Sequence, residues 1–191
     1  MAKVVVKSKS KKTKKKFPVE IVAPEFLDSV VLGTSNVSDL DGLVGKATKM
    51  NLMYVTGSVK NQNIRLTFRV EDVASGRAVT QVDAYEQIPY YLGRFLKKGS
   101  DLVEDSFVVE TKDGVKVRVK PFVVTKRSTS QLVLSSIRAK TRELVEAEVA
   151  EKKYEEFISS IVSGSVQSSF RNEIRKIYPL KTFEFRKVER E

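Results

Sequence analysis

Phe107-Val-Val-Glu-Thr-Lys-Asp-Gly-Val-Lys-Val-Arg-Val-Lys-Pro-Phe-Val-Val-Thr125 is the stretch on which the fold reading turns. Asp113-Gly114 is the strongest short hairpin signal in the chain by turn geometry, since Gly adopts a positive φ freely, and a hairpin is predicted to centre on it. On its far side Val115, Val117 and Val119 alternate with Lys116, Arg118 and Lys120. A period of two puts the valines on one face of a strand and the cations on the other. The arms predicted are Phe107–Thr111 and Val115–Thr125.

The same period recurs upstream. Ile64, Leu66, Phe68 and Val70 alternate with Arg65, Thr67, Arg69 and Glu71, and Ser75-Gly76 turns that strand into Ala78–Val82. Ala47–Val55 reads as a strand with Met50, Leu52 and Tyr54 on one face, ended by the turn Thr56-Gly57-Ser58. Phe17, Val19 and Ile21 form an entry strand ending near Ala23-Pro24. Between strands, Tyr85–Lys98 is predicted helical, with Ile88, Tyr91, Leu92, Phe95 and Leu96 on one side. Several short strands with glycine turns predict a β-barrel or a strongly curved antiparallel sheet.

After Arg127 the period changes to that of a helix. Ser128-Thr129-Ser130 is read as the cap of a long helix carrying Leu134, Ile137, Leu144, Val145 and Val149. Tyr154, Phe157, Ile158, Ile161 and Val162 continue the apolar stripe to Ser163-Gly164, and a last helix runs from about Ser165 to Ile177. Phe183 and Phe185, alternating with Glu184 and Arg186, read as a strand returning to the sheet. That return predicts one α+β body over residues 17–191, mainly β over 17–127 and helical with a last strand over 128–191.

Composition narrows the function. The 191 residues contain no Cys and no His, which removes disulfides, thiolate chemistry and the commonest transition-metal ligands. No apolar run is long enough to cross a bilayer, and no signal-peptide core follows the basic start, so a cytoplasmic location is expected. The net charge is +11, and residues 1–16 hold eight lysines and no acid. The other 27 basic and 24 acidic residues leave the body at +3. Residues 1–16 have too little apolar surface to offset the entropy of ordering, so they are expected to be a disordered arm. Its Lys11, Lys12, Lys14, Lys15 and Lys16 suit a polyanion.

Lys116, Arg118 and Lys120 would project at intervals of about 7 Å, close to the phosphate spacing along one nucleic-acid strand. Arg65 and Arg69, with Lys60 nearby, extend such a face, and Lys126 and Arg127 follow it. An ordinary solvated strand face is the competing reading of that row, and the arm tips the balance to RNA or DNA. Tyr54, Phe68, Tyr85, Tyr90 and Tyr91 could stack on bases, although most sit in core-like positions. Residues 141–156 carry six glutamates and should face water or a basic protein. Asp39 with Asp41, and Asp101, Glu104 with Asp105, are read as caps and turns rather than a metal centre. Neither GxxxxGK[ST] nor GxGxxG occurs, so no enzyme, cofactor or small-molecule substrate is expected.

Four stations resemble a known family. Val22-Ala23-Pro24-Glu25-Phe26 and Lys60-Asn61-Gln62-Asn63-Ile64-Arg65-Leu66 resemble the archaeal and eukaryotic ribosomal protein family e-S-one, also called S-three-A. Thr111 to Pro121 is the third and most specific station, and Lys176-Ile177-Tyr178-Pro179-Leu180-Lys181 the fourth. They fall in the family's order from about residue 17 to 188. The resemblance implies a β-barrel with packed helices and a place on the small-subunit platform near the mRNA exit. It implies small-subunit rRNA and neighbouring ribosomal proteins as partners, with mRNA close by and no membrane. Lys116, Arg118 and Lys120, with Lys60 and Arg65, are then implied rRNA contacts, and Lys126 and Arg127 follow the same pattern. The chain departs from the family in having Phe17 where an aromatic pair with Trp is usual, and Lys49 and Tyr54 at acidic positions. Its length resembles archaeal or reduced eukaryotic members. The alternative reading is a non-integral RNA-binding or initiation-associated factor.

Overall fold

The computed structural model describes residues 15–74 and 76–191. Strands β1 (Phe17–Val22), β2 (Val31–Val37), β3 (Ala47–Asn51), β4 (Ile64–Ala74) and β5 (Arg77–Gln87) come first, with a short helix α1 (Leu52–Thr56) after β3. Helix α2 (Pro89–Gly93) follows, then β6 (Leu102–Glu104), β7 (Phe107–Glu110) and β8 (Lys116–Thr125). Helices α3 (Gln131–Glu151), α4 (Tyr154–Ser163) and α5 (Ser165–Ile174) precede the last strand, β9 (Leu180–Arg190). The result is the expected α+β body. All nine strands join one curved sheet that does not close into a barrel.

The sheet branches twice. β5 carries β4 along one edge, and along the other it carries β1 at Arg77–Val79 and β9 at Ala84–Glu86. β8 carries β9 on one edge and shares the other between β7 and β6. The pairing of β1 with β5 is parallel, a departure from the antiparallel sheet expected. β9 does return, and it sits between β5 and β8 as a central strand.

One face of the sheet is the core. Val117, Val119, Phe183, Phe185 and Val188 point there, beneath α3, α4 and α5. Phe183 and Phe185 meet edge to face with ring centroids 5.4 Å apart, and Phe170 lies 5.6 Å from Phe183. Edge-to-face packing brings a positive ring edge onto a negative ring face, so these rings add more than buried area alone.

Five expectations need correction. β3 stops at Asn51, whose side chain accepts from the Met53 amide at 2.9 Å and caps α1; Leu52 is buried and Tyr54 is exposed. Tyr85 belongs to β5, and the predicted helix Tyr85–Lys98 reduces to Pro89–Gly93, because a proline suits only the first turn of a helix. The long helix breaks at Lys152 and Lys153, both extended. There the Lys152 carbonyl accepts from the Lys112 amide at 3.2 Å, and the Lys153 amide donates to Glu156 at 3.3 Å. Ser130 does sit at the N-cap of α3, but its side chain makes no capping bond. Asp101 binds there instead, accepting from the Thr129 amide at 2.7 Å and from the Ser128 hydroxyl at 3.0 Å. β6, in a stretch expected to hold caps and turns, is a strand, and β2 is a strand where no element is predicted.

Candidate nucleic-acid interface

Residues paired across a sheet share a face, so the register builds the outer surface directly. One transverse row runs Asn51, Arg65, Glu86, Lys187, Lys120 over five strands. The next runs Lys49, Thr67, Ala84, Glu189, Arg118, Val108. Lys116, two residues before Arg118, continues the same face toward Glu110. Arg65 and the Lys116–Arg118–Lys120 series, predicted from separate strands, therefore lie on one surface opposite the helices.

That surface alternates in charge. Lys120 donates to Glu189 at 3.1 Å, and Lys187 contacts the same carboxylate. Burial pushes the Glu189 carboxyl up, but the hydrogen bonds from Lys187 and Lys120 outweigh it and hold the group below the usual range. Arg118 donates from Nε to Glu191 at 2.9 Å. Arg69 grips Asp83 through two bonds, of 2.8 and 3.2 Å. Arg118 and Lys120 of the basic row are thus held in ion pairs, while Arg65 and Lys116 form none among the described residues. Exposed pairs of this kind are worth about 0–1 kcal/mol each, so a phosphate could displace the acid at little cost.

A second basic surface forms at one end of the sheet. The start of β4, the end of β5, the end of β8 and the start of β9 all point to it, Ile64 pairing with Gln87 and Thr125 with Leu180; the second pair lies further out along β9, since β5 meets β9 at Lys187–Glu189. Gln87 Nε2 ties the strands further, donating to Glu184 at 2.8 Å. Burial raises the Glu184 carboxyl, and the Gln87 bond and Arg171 only partly offset this. The turns entering and leaving these strands carry Lys60, Arg94, Lys97, Lys98, Lys126 and Arg127, all exposed. Among the described residues, none of these six forms an ion pair with an acid. Three stretches feeding this end, 42–70, 87–100 and 114–142, contain no Asp or Glu at all.

The predicted residues are therefore divided. Lys60, Arg65, Lys126 and Arg127 lie at or beside the basic end, and Lys116, Arg118 and Lys120 run away from it along the outer face. Lys15 and Lys16 precede β1, whose pairing with Arg77–Val79 puts them toward the opposite end. Lys11, Lys12 and Lys14, and the expected disordered arm up to residue 14, lie outside the described residues. Arg94, Lys97 and Lys98 were missed as site residues because their stretch read as an amphipathic helix. Its lack of acids was the signal available.

The carboxylate groups do not converge. Glu104 pairs with Arg186 at 3.2 Å, Asp105 with Arg142 at 3.1 Å, and Asp101 holds the start of α3. On α3, Glu143 pairs with Lys140 at 2.8 Å, so part of the acidic stretch is matched within the helix.

A family model described as the Ribosomal S3Ae family matches residues 5–191. The chain belongs to that family. It is 31% identical over 182 residues to the small ribosomal subunit protein eS1 of Haloarcula marismortui, covering 95% of this chain and 85% of that protein. The eS1 protein of Archaeoglobus fulgidus is 32% identical over 183 residues, covering 95% and 86%. That of Methanothermobacter thermautotrophicus is 29% identical over 164 residues, covering 86% and 84%. In this S3Ae-family chain the curved sheet thus presents two basic surfaces, one with Arg118 and Lys120 in ion pairs and one whose six cations form none among the described residues.

Proposed function

We propose that this chain is a structural constituent of the small ribosomal subunit, bound to rRNA at the platform near the mRNA exit and cytoplasmic within ribosomes. Membership of the S3Ae family over nearly the whole chain is the observation that carries the reading. The chemistry agrees with it. Cations fixed on a rigid sheet and its turns neutralise phosphates and release counterions without any need to read bases. The end whose Lys60, Lys126 and Arg127 form no ion pair is the primary phosphate contact; Lys116 joins directly, and Arg118 and Lys120 by exchanging their carboxylates for phosphates. The glutamate-bearing face of α3 looks away from RNA and toward neighbouring ribosomal proteins. The role is positional and involves no catalysis and no cofactor.

Sucrose-gradient fractionation of cell lysate at low and then roughly 0.5 M salt tests this, since that salt strips binders held by charge alone. Near-stoichiometric retention in the small-subunit peak at both salts is expected. Release to the top fractions at the higher salt would instead identify a visiting factor.

A further inference from the structure

The two most exposed aromatic side chains among the described residues stand at the end whose cations form no ion pair. Tyr90, on α2, is 89% exposed, and Tyr54, on α1, is 71% exposed. Single apolar side chains scattered over a surface are ordinary. These two are not scattered: α1 follows β3 at Asn51, the residue opposite Arg65, and α2 follows the end of β5, so the fold brings both to one edge. The other aromatic candidates are spent elsewhere, with Phe68 and Tyr85 fully buried and Tyr91 half-buried.

The support under Tyr90 is rigid. Leu92 sinks from α2 onto Phe122 and Val124, with Tyr91 and Phe95 beside it. The Ile88 amide donates to the Asn63 carbonyl at 2.9 Å, and the Lys181 ammonium donates to the Phe95 carbonyl. Arg94 lies four residues beyond Tyr90, hence on the same side of the turn. Its guanidinium is held over the Tyr91 ring at 4.5 Å and the Phe95 ring at 5.5 Å, stacked and without an acid partner. Lys97 and Lys98 follow at once, both exposed.

We propose that this end is a stacking shelf for unpaired RNA nucleotides, with Tyr90 under a base, Tyr54 as a second platform, and Arg94, Lys97 and Lys98 on the flanking phosphates. The inference rests on the RNA-binding reading above and makes it specific. Lysines alone accept any polyanion, duplex or single-stranded. An open tyrosine ring adds energy only when a base offers a free π-face, which a duplex interior does not. The shelf therefore selects a bulged, looped or single-stranded segment, from either rRNA or mRNA.

The full chain is titrated with fluorescein-labelled oligouridine of about 12 nucleotides, within single-strand site sizes, and with an RNA duplex of equal length. Tyr90→Ala should weaken oligouridine binding roughly 5- to 150-fold, the range for losing one base stack, and leave duplex binding unchanged. Tyr90→Phe should retain most of the affinity, since the ring is kept. Lys97→Gln with Lys98→Gln should weaken both ligands and flatten their salt dependence. Tyr90 is too exposed for its loss to unfold the chain, and circular dichroism checks this. Ultraviolet crosslinking of intact subunits should also leave a nucleotide adduct on the tryptic peptide 78–94, and the sequence of the attached RNA tells rRNA from mRNA. Equal affinities of Tyr90→Ala and the parent for oligouridine, or a subunit-retained chain with no adduct on that peptide, would overturn the shelf but not the ribosomal role. A chain absent from subunits would overturn that role, and the titration would still decide the shelf.

Discussion

Tyr85 and Tyr154 carry their hydroxyls into the interior. Burial is the main cause that pushes both phenols far above their ordinary range; the Gln87 hydrogen bond opposes it at Tyr85, and the nearby Asp83 carboxylate adds to it at Tyr154. Tyr154 also ties α4 to β5, donating to the Asp83 carbonyl at 3.2 Å. The sign follows from linkage. The folded state holds these protons more tightly than the unfolded one, so the stabilisation is complete below the unfolded value of about 10 and is lost as pH rises above it. Spectrophotometric titration should find two of the six tyrosines un-ionised until the fold collapses, and ionisation of all six while circular dichroism stays native would refute this. The residue scale also explains why cations of one sequence pattern differ in use. Arg118 and Arg94 are both partly open, yet one is held by a carboxylate and the other by two aromatic rings.

Among the elements, the hairpin of β7 and β8 is the most fully specified by its own residues. Gly114 adopts φ +75°, and a methyl group there would meet only the Glu110 side chain at 3.8 Å. The cost of Gly114→Ala is thus backbone strain rather than collision, about 1 kcal/mol. Urea melts should show a lower midpoint with an unchanged slope, and an unchanged midpoint would mean that the turn relaxes freely. Helices α3 and α4 behave differently. Their apolar stripe continues across Lys152 and Lys153, so periodicity alone predicts one rod. The break depends on partners from elsewhere, the Lys112 amide and the Asp83 carbonyl, which no local pattern contains.

Over the whole molecule, the distribution of acids decides which basic surface is available. Lys60, Lys126 and Arg127 stand at an end whose feeding stretches lack acids, whereas Arg118 and Lys120 face Glu191 and Glu189. Substituting Gln for the first three should lower the slope of log affinity against log salt by about 2, at roughly 0.7 per phosphate contact. The same change at Lys116, Arg118 and Lys120 should impair subunit incorporation while leaving the fold intact. Its effect on the slope should be smaller, because Glu191 and Glu189 already partly neutralise Arg118 and Lys120. Equal slopes for the two triple variants would show that the carboxylates do not screen the row.

The residues by themselves determined the strands with clean alternation, the Asp113-Gly114 turn, the change to helical period after Arg127 and the return of the last strand, because each rests on neighbours close in the chain. They also carried the polyanion preference and the four stations of the family. Only the tertiary structure decided that the sheet stays open, that β1 runs parallel to β5, and that Tyr85 is core while Tyr90 stands in water. It likewise decided that Arg118 and Lys120 are matched by acids from β9 and just beyond it, while Lys60, Lys126 and Arg127 form no ion pair. The reason is physical: a charge or a ring has no fixed role until the chain places its neighbours, and those neighbours came from residues about 70 positions away, where the cost of closing the loop had to be met by the shared core.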